Sequence, residues 1–295
     1  MIYVFRQASS KGARELSESI AWGRRARNED LLRRRVKAGD LVIAWGDHVN
    51  LPDGVLALNN VPLSNKFTDA EKLKAAGVPT VEVSRVMPQP VRQTAPPDPA
   101  LNAFARLLNT VDLRGLGHRS LEVIRQITDV QERINTYLEA VAQPAPVAPP
   151  PQVVGEWVGR NNNHVGGNDL LNPPRLPDFY VKKEVLKGEV RIHSFLGKSI
   201  RAGVKAPREG VEQHPWVRSF DGGWRIVYDN FKSKGAQREL AAKAVEALGL
   251  QFGAVDIGIK EDGSLIVLEV NRAPGLEGGT VTAYAGAIQQ HLETV

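Results

Sequence analysis

Residues 253–279 read GAVDIGIKEDGSLIVLEVNRAPGLEGG. Two apolar runs flank a polar turn at Glu261–Gly263, which predicts a β-hairpin. Asp256 lies on the first strand. Glu269 and Asn271 lie on the second, two apart, so their side chains share one face. If the hairpin pairs about its turn, Asp256 comes near that face, and two carboxylates and an amide oxygen converge. Hard oxygen donors of this kind suit Mg2+. An acidic residue on a strand is ordinarily solvated. Here Ile257, Ile259, Leu265, Val267, Leu268 and Val270 mark both strands as buried, and a buried carboxylate needs a partner or a metal. An abrupt loop, Arg272 to Gly275, follows directly.

Just upstream, 236–248 (AQRELAAKAVEAL) predict a helix closed by Gly249. Downstream, a last helix is expected over about 280–293. From 153 to 206 short β-rich segments are separated by Gly or Pro, which predicts an antiparallel sheet. At the amino end, 2–5, 41–45 and 55–58 read as strands between helix-permissive stretches at 11–20 and 28–38, the pattern of a small parallel sheet. Thr68 and Glu71 read as a capping box, giving a helix over 69–76 that Gly77 ends, with a strand at 78–83. Prolines crowd 86–100 and 144–151. Between them, Leu121, Ile124, Ile127, Val130, Ile134, Tyr137, Leu138 and Val141 form one apolar stripe, read as an inserted helical hairpin or a long linker. The expected segments are 1–85, 86–152, 153–206 and 207–295, in an α/β (α+β) chain.

Composition narrows the chemistry. The 295 residues include no cysteine, which excludes disulfides, thiolate zinc sites, Fe–S clusters and cysteine nucleophiles. That suits a cytoplasmic protein. No apolar run reaches the length of a membrane span, and the amino terminus has no signal-peptide core. The net charge of +5 permits an anionic ligand without demanding one. Arg24, Arg25, Arg27, Arg33, Arg34, Arg35 and Lys37 form a basic cluster, ordinarily a solvated helix face. No zinc-finger or RNA-binding aromatic signature accompanies it, which weighs against nucleic acid and leaves an anionic, peptidic substrate open.

The 253–279 segment resembles the carboxyl-terminal signature of the ATP-grasp superfamily, G-V-D…G…E-V-N-x-x-P-G-L-E-G. It is most similar to the ribosomal-protein-modifying glutamate ligases and to phage-encoded ATP-grasp proteins. Further matches follow in the family's order: Asn65-Lys66-Phe67 before AAGVPTVEV, then GEWVGRNNNHVGGNDL, then FYVKKEVLKGEVRIHSFLGKSIRAGVKA. The resemblance covers about two thirds of the chain and leaves 86–152 unexplained. It implies a small amino-terminal α/β domain followed by two α+β subdomains clasping a nucleotide, with 86–152 as a helical insertion.

The resemblance also implies ligand sets. Asp256, Glu269 and Asn271 would hold Mg2+, or Mn2+, against the phosphates of ATP. Lys66 would touch those phosphates. Arg160 stands where the family carries lysine; its fork of donors preserves the phosphate role but alters the geometry. Gly166 and Gly167 would close over the phosphates, with His164 beside them. Lys183 and Glu184 fall where the backbone reads adenine, and Glu189 would bind ribose. Arg191 and Lys205 would lie over the triphosphate and the acyl phosphate. Asn271, Arg272 and Gly275 would line the substrate end. Without the resemblance, Glu189 and Arg191 read as an exposed ion pair and Gly166-Gly167 as a turn.

The implied reaction is ATP-dependent ligation of a carboxylate to an amine through an acyl phosphate, releasing ADP and phosphate. The substrates would be small molecules or peptides. A kinase on the same scaffold and a nucleotide-binding protein without turnover are the alternatives.

Overall fold

The computed structural model describes residues 1–88, 153–154, 157–162, 168–171, 176–276 and 278–294. The chain forms two compact units, Met1–Met87 with Glu156–Val295, and Pro88–Gly155. The apolar stripe of 121–141 and the proline-rich stretch 144–151 lie outside the described residues, as does 89–100.

The first unit begins with β1 (Ile2–Phe5), α1 (Lys11–Ser19), β2 (Gly23–Ala26), α2 (Glu29–Arg35), β3 (Leu41–Ala44) and β4 (Leu56–Leu58). The strands form a parallel sheet ordered β2-β1-β3-β4. All four residues of β1 and of β3 are buried, as the central strands of a sheet covered on both faces must be. Ala13, Leu16 and Ile20 join Ile2, Val4, Leu41 and Ile43 in one core. Leu32 and Val36 join Tyr3, Phe5 and Val42 in another. β2 corrects the sequence reading of the basic cluster. Arg24 and Arg25 stand on a strand, and only Arg33, Arg34 and Arg35 are helical, in the last turn of α2, where they complement the helix dipole.

α3 (Lys66–Ala75) starts three residues before the expected helix. Its cap is Asn65, which accepts from the Thr68 N–H at 2.9 Å while the Thr68 hydroxyl accepts from the Asn65 N–H at 3.1 Å. Thr68 is therefore the third helical residue and not the cap. Gly77, at φ 71°, follows the helix end as expected. The strand expected at 78–83 shrinks to β5 (Val83–Ser84). Pro79 has no N–H to give a ladder, so 79–81 make only isolated bonds to Val267.

In the second unit, Val153–Val154 form a short strand, β6. The first unit resumes with β7 (Trp157–Arg160), a helical turn α4 (Asn168–Leu171) and β8 (Phe179–Lys182). β8 pairs antiparallel with both β5 and β7. Then follow β9 (Gly188–Phe195), β10 (Lys198–Pro207), β11 (Trp224–Val227), α5 (Gly235–Ala247), β12 (Phe252–Ile259), β13 (Leu265–Asn271) and α6 (Gly279–Leu292). These strands form an antiparallel sheet ordered β11-β10-β9-β12-β13, with the expected turn at Gly263.

Alternation along these strands splits the sheet into two unlike faces. Val190, Ile192, Val255, Ile257, Val267 and Val270 form a core with Leu240, Ala241, Ala244 and Val245 of α5. Burying each large side chain there contributes roughly 1.5–3 kcal/mol, which anchors the sheet and frees its other face for polar groups. No helix among the described residues is long and apolar enough to cross a membrane.

Candidate functional site

Opposite α5, the same strands carry charge. Glu189, Arg191 and His193 alternate along β9. Arg191 is the register partner of Asp256 on β12, and Asp256 is the partner of Glu269 on β13. Strict alternation would put Val267 and Glu269 on one face. The ladder prevents this: Ile257 pairs with Val267 and Asp256 with Glu269, so Leu268 is an extra residue bulged out of register. A bulge of this kind re-aims the side chains beyond it. It leaves Val267 and Val270 in the core and turns Glu269 and Asn271 toward Asp256.

Every carboxylate on this face meets a cation. Asp256 accepts two hydrogen bonds from Arg191, Nε to Oδ1 at 2.7 Å and Nη2 to Oδ2 at 2.6 Å. Lys66, the first residue of α3, donates its ammonium to Glu269. Lys205 of β10 contacts Glu189. Burial alone would raise the pKa of Asp256, but Arg191 and Lys205 bring it below the ordinary carboxylate range. Burial likewise opposes the Glu269 charge, and Lys66 overcomes it, holding that carboxyl far below its usual value. Burial also opposes the cations Arg191 and Lys205, yet the facing carboxylates raise both. Glu189 is the exception. Burial pushes it up to about 7 against the pull of Lys205, with the Asp256 charge adding to the push. The structure thus corrects the expectation of an exposed Glu189–Arg191 pair: each residue has its own partner, and Glu189 is 5% exposed.

Other expected residues stand nearby or elsewhere. Arg160, on β7, donates from Nε to Asp169 of α4 at 2.8 Å. Lys183 and Glu184 occupy the link between β8 and β9; Lys183 lies over the Trp216 ring at 5.3 Å, and Glu184 pairs with Lys260 at 2.8 Å. Together with Val185 and Glu261 they line a shallow cleft of about 400 Å³. Arg272 turns back to the amino-terminal segment, donating to the Pro62 carbonyl at 3.1 Å, to Asp69 at 3.0 Å and to the Ser64 hydroxyl. His164, Gly166 and Gly167 lie outside the described residues.

Two residues that the sequence reading passed over belong to this face. His193 is fully buried, its Nε2 3.0 Å from the Tyr228 hydroxyl and its Nδ1 3.3 Å from that of Tyr284. Burial and the nearby Arg191 charge depress its pKa to about 3, so the ring is neutral. Its even spacing from Glu189 and Arg191 was the available signal. Tyr228, in the segment after β11, had none.

The donor set fits a hard divalent cation. Asp256 and Glu269 are ionised, and both stand on the face shared by Asn271. The Asn271 amide nitrogen is buried without a hydrogen-bond partner, so the protein alone does not complete this amide's surroundings. Among the described residues no three His, Cys, Asp or Glu side chains gather as a metal cage. The candidate set is therefore two carboxylates and one amide, which leaves positions for phosphate oxygens and water.

No known family profile matches the chain, and no curated protein matches it. Solved structures do. The ATP-grasp ligase PsnB, in complex with a minimal precursor, is 12% identical, with 98% of each chain covered and a TM-score of 0.50. D-cycloserine synthetase DcsG is 15% identical, with 99% of each chain covered and a TM-score of 0.51. The D-alanine–D-alanine ligase of Bacillus anthracis is 12% identical, covering 99% of this chain and 96% of its own, with a TM-score of 0.52. The bulged β12–β13 hairpin, the charged sheet face and the small amino-terminal sheet therefore sit in an ATP-grasp fold.

Proposed function

We propose that this chain is an ATP-dependent carboxylate–amine ligase that forms an amide or peptide bond through an acyl phosphate and releases ADP and phosphate. One observation carries the reading: Asp256, Glu269 and Asn271 share a sheet face with Arg191 and Lys205, and Lys66 reaches it, within an ATP-grasp fold.

A carboxylate is a poor acyl donor because its oxygen is a poor leaving group. In the proposed reaction a substrate carboxylate oxygen attacks the γ-phosphorus and ADP leaves. An amine then attacks the acyl carbon and phosphate leaves. No protein nucleophile is needed, which suits a chain without cysteine. Asp256, Glu269 and Asn271 would hold Mg2+, and the same oxygen donors suit Mn2+; the bound ion would offset charge on the transferring phosphoryl group. Arg191 and Lys205 stay protonated throughout and offer fixed positive charge over the transferring group. Lys66 and Arg160 are assigned to the nucleotide phosphates, as are His164, Gly166 and Gly167. The Lys183–Glu184 link is assigned to adenine, Glu189 to ribose, and Arg272 to the substrate end.

The test uses hydroxylamine as the amine with a panel of carboxylic and amino acids. ADP release accompanied by a hydroxamate supports ligation. Phosphorylation of a hydroxyl without hydroxamate would instead make the chain a kinase. Nucleotide binding without ADP release would make it a binding protein.

A further inference from the structure

The two carboxylates of the candidate metal set are held by cations of different kinds. Arg191 grips Asp256 through two hydrogen bonds, with side chains 19% and 4% exposed. A carboxylate has about four lone-pair sites, so Asp256 keeps room for a further ligand while Arg191 stays. Glu269 is held by one ammonium, that of Lys66, at one oxygen, Oε2. These side chains are 29% and 28% exposed. Lysine is a point charge on a flexible four-carbon stem, so this second pair can exchange partners where the first is fixed.

Lys66 also stands where a cation is least favoured. It is the first residue of α3, and the first amides of a helix already carry partial positive charge. Its ammonium therefore depends on an anion placed at this helix end. Glu269 is that anion in this structure. The phosphates assigned to Lys66 under the proposed function are a second anion, of higher charge. One ammonium cannot serve both fully. Nor can a divalent cation share the Glu269 oxygen with it, because like charges meeting at one oxygen repel strongly.

The helix end is anchored independently of Lys66. Arg272 donates to Asp69 of α3 at 3.0 Å and to the Pro62 carbonyl at 3.1 Å, which ties this segment to the loop after β13. Asn65 and Thr68 close the cap through each other's N–H groups. An exchange of anions at Lys66 thus requires only its side chain to swing.

We propose that Lys66 gates the metal site. It competes with divalent metal for Glu269, and the nucleotide phosphates end the competition by drawing its ammonium away. Metal is thereby accepted together with nucleotide and resisted alone. The gate rests on the nucleotide-binding part of the ligase reading; the competition for Glu269 does not.

The test measures Mn2+ binding to the full-length protein without nucleotide, from the loss of the free-ion electron paramagnetic resonance signal. Mg-ATP affinity is measured calorimetrically on the same samples. Lys66→Met should bind Mn2+ about tenfold tighter than the wild type, and Mg-ATP about tenfold weaker. A merely structural lysine would not give opposite signs, since damage to α3 would weaken both. Lys66→Gln should behave in the same way and replaces the methionine variant if that one does not fold. Lys205→Met removes the same charge from the same sheet face, but from beside Glu189. It should raise Mn2+ affinity by less than about threefold. Mn2+ affinity that is unchanged or weakened in the Lys66 variants would overturn the proposal. A gain no larger than that of Lys205→Met, or undiminished Mg-ATP affinity in the Lys66 variants, would overturn it too. In all of these cases a wild type that binds Mg-ATP leaves the ligase reading intact. A wild type that binds no Mg-ATP would overturn that reading and the gate together, and the Mn2+ series would still decide the competition for Glu269.

Discussion

The Arg191 guanidinium grips the Asp256 carboxylate with two parallel hydrogen bonds, at 2.7 and 2.6 Å, across paired strands of one sheet. Asp256 is 3% exposed, so its charge has no access to water and depends on the half-buried Arg191 for compensation. Removing one partner leaves the other uncompensated, whereas replacing both with apolar side chains does not. Arg191→Ala should cost about 3–5 kcal/mol. Arg191→Met combined with Asp256→Leu should recover most of that stability and still form no ADP. Urea unfolding with a parallel ADP assay checks both; a double variant as unstable as Arg191→Ala would contradict the account of the pair.

Glu269 reaches the charged face because Leu268 is bulged, and it lies against Lys66. Its carboxylate is one of the three candidate ligands. Glu269→Gln preserves the shape and removes the charge. We expect a 10²–10³-fold loss of ADP formation, the usual cost of deleting one charge-stabilising contact. Asn271→Ala should behave similarly, with far-ultraviolet circular dichroism unchanged in both. Wild-type turnover in either would contradict the ligand assignment.

Asn59 ties the amino-terminal sheet to the start of β12. It has φ 58°, its Oδ1 accepts from the Gln251 and Phe252 N–H groups at 2.7 and 2.9 Å, and its Nδ2 donates to the Phe252 carbonyl at 2.7 Å. Asn59→Ala would strand buried main-chain groups and place alanine in the left-handed region. A loss of about 2–4 kcal/mol is expected, read as a lowered thermal midpoint.

How far the sequence carried the reading differs from element to element. The β12–β13 hairpin and the shared face of Glu269 and Asn271 were legible because apolar runs around a polar turn give strand period and turn together. The bulge was written there only as the adjacent Val267-Leu268 pair, which breaks a strict period of two. β2 was hidden because Arg24 and Arg25 look like solvated surface, while parallel pairing with β1 overrides their low strand propensity. The cap of α3 was misplaced by three residues because Asn65 and Thr68 compete for it locally, and only the backbone decides. The partners of Glu189 and Arg191 were illegible because both come from other strands: Lys205 from β10 and Asp256 from β12. Arg24 and Arg25 stood in a recognised cluster, but that they lie beside β1 depends on the crossover order of the sheet.

His193 makes stability depend on pH. Its folded pKa is near 3 against an ordinary 6.5, so the unfolded state binds the proton first. Its contribution is fully present above about pH 6.5 and is lost as pH falls toward 3, at up to ~1.4 kcal/mol per pH unit. Glu189 acts in the opposite sense. Its folded pKa is raised to about 7 from 4.5, so its contribution is present at low pH and lost between those values as pH rises. Below about pH 4.5 the Glu189 contribution is complete and constant, and of the two only His193 still makes stability change with pH. The stability difference between wild type and His193→Gln should therefore shrink steadily from pH 6.5 downward. A pH-independent difference would show that the ring is not held neutral.

Titration calorimetry of ATP into the purified chain, with Mg2+ and with EDTA, tests the central claim most directly. Saturable binding that requires Mg2+, and that weakens in Glu269→Gln and Asn271→Ala, is the predicted result. Failure of the folded wild-type protein to bind Mg-ATP, or binding of equal strength with the metal chelated, would contradict it.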